Sequence, residues 1–154
     1  MLLSRSAEYG IKAILDLAVH GASAISQIAA RGGIPQPYAF KLLQRMADAG
    51  LVEVQRGRGG GYRLAADPWT TPLRTVVEAI QGDLEIDRCL FSTEGACSAS
   101  DPCPLHDTWQ RLWMDAVNAL DGVTIQELAR ASAARAASPI SSPERKSPVA
   151  SQRR

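Results

Sequence analysis

Long apolar runs are missing from this 154-residue sequence. Nothing approaches the roughly 20 consecutive apolar residues that a membrane-crossing helix needs, so no membrane partner is expected. No leader is expected either. Met1-Leu2-Leu3-Ser4-Arg5 meets Glu8 and Lys12 before an apolar segment can develop, which predicts a cytoplasmic chain. Histidine is scarce, with two in the whole chain. His20 falls at a predicted helix end and His106 beside cysteines, and no nucleophile and base are arranged around either, so the chain is not expected to be an enzyme. Gly57 and Gly59–Gly61 form a glycine-rich stretch, but the Lys-Ser/Thr of a nucleotide phosphate loop does not follow it. Cysteine is scarce too, and its three copies cannot all pair into disulfides.

Those three copies are the most concentrated chemistry present. They stand as Cys89-x7-Cys97-x5-Cys103-x2-His106, in CLFSTEGACSASDPCPLH. Thiolates and a neutral imidazole are ligands for soft and borderline metals. Gly95, Ser98, Ser100, Pro102 and Pro104 suit a loop folded around something better than a helix or strand. Two plainer readings compete. Cysteines are often buried and inert, although such residues follow apolar periodicity, and these lie among Ser, Gly, Asp and Pro. A disulfide framework would need an oxidising compartment and usually an even count. A metal centre is the leading expectation.

Charge is segregated behind a net value of +1. Residues 1–64 carry eight Lys/Arg against four acids, residues 65–131 four against eleven, and residues 132–154 five against one. A basic N-terminal unit beside an acidic middle fits an anionic partner met by one face only.

Helical spacing of Ala7, Ile11, Ile14, Leu15 and Ala18 predicts a first amphipathic helix over 6–20, ended by Gly21. Ser26 is expected to cap a short second helix over 27–31. After Gly32-Gly33 and Ile34-Pro35-Gln36-Pro37, a third helix is expected from about Tyr38 to Ala49, with Ala39, Leu42, Leu43 and Met46 inward. Two strands, 52–55 and 62–64, flank the glycine-rich turn. The order is that of a winged helix-turn-helix, with the third helix reading a groove of double-stranded DNA and the hairpin as wing. Candidate DNA contacts are Gln36 just before the third helix and Tyr38, Lys41, Gln44 and Arg45 on it. Arg56 and Arg58 at the wing would reach the backbone or a narrow minor groove.

A helix beginning at Thr71-Pro72 follows, with proline at its first position and Leu73, Val76, Val77 and Ile80 on one face. Beyond the cysteine loop, Trp109, Leu112, Trp113, Ala116, Val117 and Leu120 make a wide apolar stripe, read as a long helix pairing with its copy in a homodimer. Thr124 and Glu127 have capping-box spacing and open a last short helix. From Ser138 the chain lacks core formers and reads as a disordered basic tail. The expected class is therefore mainly α with a small β-hairpin wing: a winged helix-turn-helix over 1–66, loop and dimerisation helices over 67–131, and the tail over 132–154.

Three segments, LSRSAEYGIKAILDLA, LVEVQRGRGGGYRLA and the three-cysteine loop, resemble the Rrf2 family of bacterial winged-helix transcription regulators over roughly residues 1–130. The resemblance implies a homodimer on a near-palindromic operator, usually as a repressor, with an iron–sulfur cluster in each subunit. On it Cys89, Cys97 and Cys103 are the cluster ligands. His106 is the fourth, as in IscR-like members; Glu8, supplied by the other subunit, is the alternative that NsrR-like members offer. The seven-residue first gap is that of RirA-like members. Phe40 stands where IscR-like members carry an acid, so the operator sequence does not transfer.

Three thiolates and one imidazole suit a 2Fe–2S unit, with 4Fe–4S as the other cluster type and a structural zinc as the alternative metal. The long Cys89–Cys97 gap differs from a zinc knuckle and favours the cluster. The expected function is a DNA-binding regulator gated by the cluster, which would report iron, oxygen, nitric oxide or redox poise. The competing classes are a zinc-stabilised interaction or DNA-binding module without sensing, and a redox-carrying domain.

Overall fold

A computed structural model describes residues 3–57, 60–84 and 102–137. Among them are six helices and one two-stranded antiparallel sheet. Helix α1 spans Arg5–His20, α2 Ile25–Gly32 and α3 Gln36–Asp48; strands β1 (Val52–Gln55) and β2 (Gly61–Leu64) follow. Then come α4 (Leu73–Gln81), α5 (His106–Asp121) and α6 (Ile125–Ala137). Winged helix-turn-helix architecture is thus present in the expected order.

Helix α1 is the spine. Ser4 caps it, its Oγ accepting the Ala7 N–H at 3.1 Å. Ala7, Gly10, Ala13, Ile14 and Leu17 fall on the buried side, and α2, α3, α4 and α6 all pack against the helix. Small residues allow the close approaches: a Cβ on Gly10 would lie 2.7 Å from Ile80 Cγ1. Asp16 shares this buried side, and an uncompensated carboxylate there would be costly. Arg31 of α2 answers it bidentately at 2.6 and 2.7 Å and also donates to Ser23 Oγ at 2.7 Å.

The main core joins Ile14 and Leu17 to Ile28, Leu43, Met46, Ile80 and Ile125. A second cluster gathers Ala7, Leu73, Val77, Leu84 and Leu120, with Trp113 and Val117 partly buried beside it.

The wing is tied to the helices through its second strand, close to the turn. In β1–β2, Val52 faces Leu64 and Val54 faces Tyr62. Tyr62 exchanges both backbone hydrogen bonds with Ser23 at 2.9 Å. Gly61 allows this, because a Cβ there would run into the Ser23 carbonyl.

Four boundaries differ from expectation, each for a local reason. Helix α2 starts at Ile25, and Ser26 is not its cap; the Gln27 side chain instead accepts the Ala24 N–H at 3.0 Å. Helix α3 begins at Gln36 and takes in Pro37, because a first-turn proline loses no intrahelical bond. Pro72 precedes α4 rather than opening it, and bridges to Thr124. The last helix is not short: its alanine-rich stretch sustains α6 for 13 residues. The Thr124/Glu127 capping box forms as expected, with the Thr124 N–H donating to Glu127 Oε2 at 2.9 Å and the Glu127 N–H to Thr124 Oγ1 at 3.2 Å. The expected tail, like the loop holding Cys89 and Cys97, lies outside the described residues.

Candidate nucleic-acid interface and metal loop

Helix α3 turns Ala39, Leu42, Leu43 and Met46 inward and leaves Gln36, Phe40, Lys41, Gln44 and Arg45 exposed. Tyr38 is half-buried: its ring stands edge-on to Tyr9 at 5.7 Å and its hydroxyl bonds Ser6 Oγ. This pairing joins the first turns of α1 and α3, where Arg5, Tyr9, Pro35, Pro37, Tyr38 and Lys41 line a cleft. Lys12 lies 5.6 Å from the Tyr9 ring centroid. Arg5 and Lys12 thus join Lys41 on one cationic edge, an arrangement visible only once α1 and α3 are packed together. Arg56 is exposed where β1 enters the wing's turn, whereas Arg58 lies outside the described residues.

Arg45 does a second job. Its Nη1 donates to the Ile80 carbonyl at 2.6 Å, so the reading helix caps the last turn of α4. Gln81 in that turn accepts the Ser4 N–H at 3.0 Å. Three residues later Leu84 is buried, and its carbonyl accepts the Trp113 Nε1–H at 2.9 Å. The chain therefore leaves for the cysteine loop from a point bonded to α5, and α4 just before it is bonded to α1 and α3.

Its return is equally defined. The His106 N–H donates to the Cys103 carbonyl at 3.0 Å, placing the two residues one turn apart as α5 begins; both are half-buried. Leu105 provides no side-chain cap. First-turn amides and the helix dipole favour negative charge at this end, which suits a thiolate-bound metal. The donor set fits a cluster in ligand type and in the Cys103–His106 spacing. Among the described residues no group of three or more His, Cys, Asp or Glu is gathered around a common point. Glu8 is exposed on the first turn of α1 and is not brought together with Cys103 and His106 within one chain.

Residues 3–131 match the family described as Rrf2, an iron-dependent transcriptional regulator. The chain belongs to the Rrf2 family. It is 33% identical over 131 residues to the HTH-type transcriptional regulator IscR of Vibrio vulnificus, covering 83% of this chain and 77% of that one. Among solved structures, IscR of T. potens superposes with a TM-score of 0.67 at 27% identity, over 86% of this chain and 88% of that one. CymR of B. subtilis, the global cysteine regulator, gives 0.71 at 24% identity, over 85% and 98%, and this likeness bears on the fold alone. As an Rrf2 protein the chain is a DNA-binding, helix-turn-helix transcription regulator and not an enzyme.

Proposed function

We propose that this Rrf2 regulator binds a near-palindromic operator as a homodimer, and that its affinity is set by an iron–sulfur cluster on Cys89, Cys97, Cys103 and His106. The observation that carries the reading is the placement of Cys103 and His106 one turn apart at the start of α5. A bound 2Fe–2S unit would supply a redox-active centre with one ligand weaker than thiolate. Everything else falls to the chain's own side chains. Lys41, Gln44 and Gln36 face base edges, Tyr38 and Arg5 hold the α1–α3 edge against the backbone, and Arg56 with Arg58 extends the contact through the wing. Repression is the expected sense, and the cytoplasm the expected place.

The homodimer reading is supported by α5. Trp113, Val117 and Leu120 turn toward the chain's own second cluster, while Leu105, Trp109, Leu112 and Met114 stay exposed. A helix apolar on both sides suits burial against a copy of itself.

Loop occupancy reaches the DNA-binding surface through short covalent and hydrogen-bonded steps. The loop starts after Leu84; α4 ends three residues earlier, and Arg45 of α3 caps its Ile80 carbonyl. Ordering or releasing the loop would bias how α4 and α5 hold α3, and so the spacing of the two reading heads.

Anaerobic purification with an absorption spectrum and iron and sulfide assays tests the centre. Titration of operator DNA with holo and apo forms then tests the gating. A coloured protein whose operator affinity changes on cluster loss by about 1–3 kcal/mol, the usual size of coupling between sites, is the expected result. Stoichiometric zinc without colour would overturn the cluster. Equal binding by both forms would leave the metal structural. His106→Ala is expected to alter the chromophore and Glu8→Ala to leave it unchanged; the reverse outcome reassigns the fourth ligand.

A further inference from the structure

The outward face of α3 carries one large apolar side chain among polar ones. Phe40 is 48% exposed, one turn after Gln36 and Pro37 and one turn before Gln44. The side chains that fix α3 to the core, Ala39, Leu42, Leu43 and Met46, occupy the opposite face. Isolated exposed apolar residues are common and need no explanation in general. What singles out Phe40 is its place, five residues into the helix and on the ridge that the DNA-binding reading turns toward base edges.

A phenyl ring neither donates nor accepts a conventional hydrogen bond. In the major groove, guanine offers two acceptors, cytosine an amino donor, and adenine one of each; thymine alone adds an apolar group, its 5-methyl. A ring pressed on the cytosine amino group or the guanine O6 would desolvate that group without replacing its partner. Packed on a thymine methyl, the same ring gains apolar burial. We infer that Phe40 is a specificity-determining residue that packs against the 5-methyl group of one thymine in each half-site. The inference deepens the proposed function and rests on α3 lying in the major groove.

The test uses the full chain, purified anaerobically, to enrich a duplex from a randomised library. In the enriched duplex each thymidine is replaced in turn by deoxyuridine, which removes only the methyl group. One position per half-site is expected to lose about three- to fivefold in affinity, the size of one buried methyl. In Phe40→Ala the loss at that position should disappear, while any penalty elsewhere stays. Tolerance of deoxyuridine at every position by the native chain would overturn the inference, and that series does not depend on the variant folding. So would an equal penalty in native and Phe40→Ala proteins. Failure to enrich any duplex would overturn the major-groove reading and this inference together, whereas methyl-insensitive binding to an enriched duplex would overturn the Phe40 assignment alone.

Discussion

The reading head and helix α5, in the region that begins at Leu84, are held differently. In the head each element is fixed from more than one side. Asp16, Arg31 and Ser23 join α1, α2 and the loop between them; Ser23 and Tyr62 join that loop to the wing; Tyr38 joins α3 to α1. In the second region, among the described residues, α6 is fixed through Ile125 in the main core and its N–H to the Thr71 carbonyl at 3.1 Å, while α5 is held by the Trp113–Leu84 bond, the Cys103–His106 turn and its inner face. Its outer face remains exposed at Trp109, Leu112 and Met114. The head is arranged by its own side chains. On the proposed function, the start and outer face of α5 are what a metal and a second subunit would complete, and sensitivity to a signal would sit there.

Removing a ligand should separate the two regions most sharply. Cys103→Ser is expected to abolish the visible absorption and the bound iron and sulfide, while far-UV circular dichroism keeps the helical signal of the head. A native spectrum in this variant would remove Cys103 from the centre.

Gly61→Val attacks the other side of the comparison. Its side chain would meet the Ser23 carbonyl, and overpacking of this kind costs about 1–3 kcal/mol. Denaturant unfolding should show the loss, with the absorption spectrum unchanged. A spectrum that moved with the wing would mean that the two regions are not separately held.

Trp113→Phe retains a ring and loses only the donor to Leu84. About 1 kcal/mol of stability should go with it, the usual net value of one hydrogen bond. The variant's cluster should also decay faster in air than the native one, since the loop's departure point is loosened. Equal decay rates would show that the bond serves packing alone.

The smallest effect is expected at α6. Hydrogen bonds from the Thr124 backbone and then its hydroxyl hold the Glu127 carboxyl below its ordinary range. A lowered carboxylate contributes stability that is present above its unfolded value and fades as pH falls through the lowered folded value. Acid titration of helicity should therefore show a slight loss there, and Glu127→Gln should remove that component. An unchanged acid profile in the variant would show that the capping box adds nothing measurable.

Much of the head is legible in the sequence because its signals are local. Apolar spacing gives α1 and α3, glycine and arginine between β-forming runs give the wing, and Thr124 with Glu127 gives a cap. Legibility fails where the partner is remote. Asp16 lies on an apolar face, and nothing near it in sequence announces Arg31. Arg45 looks like one more outward cation until Ile80 is brought beneath it, and Trp113 looks purely apolar until Leu84 arrives. The cysteine spacing speaks to ligand chemistry, not to geometry; a loop organised by a metal has no periodicity to read. Phe40 is the converse case, since its outward position follows from helical spacing but its exposure is informative only after the rest of that face proves polar.

The two bonds between Ser23 and Tyr62, with Gly61 set against the Ser23 carbonyl, fix the second strand of the hairpin relative to the helices. On the proposed function, the angle between wing and reading helix is then a built-in gauge to which a duplex would have to adapt. A site whose groove must widen or narrow to fit that gauge bears an elastic penalty that depends on its base steps. If α3 and the wing both meet the duplex as proposed, operators should be sorted by stiffness at positions between the two contacts.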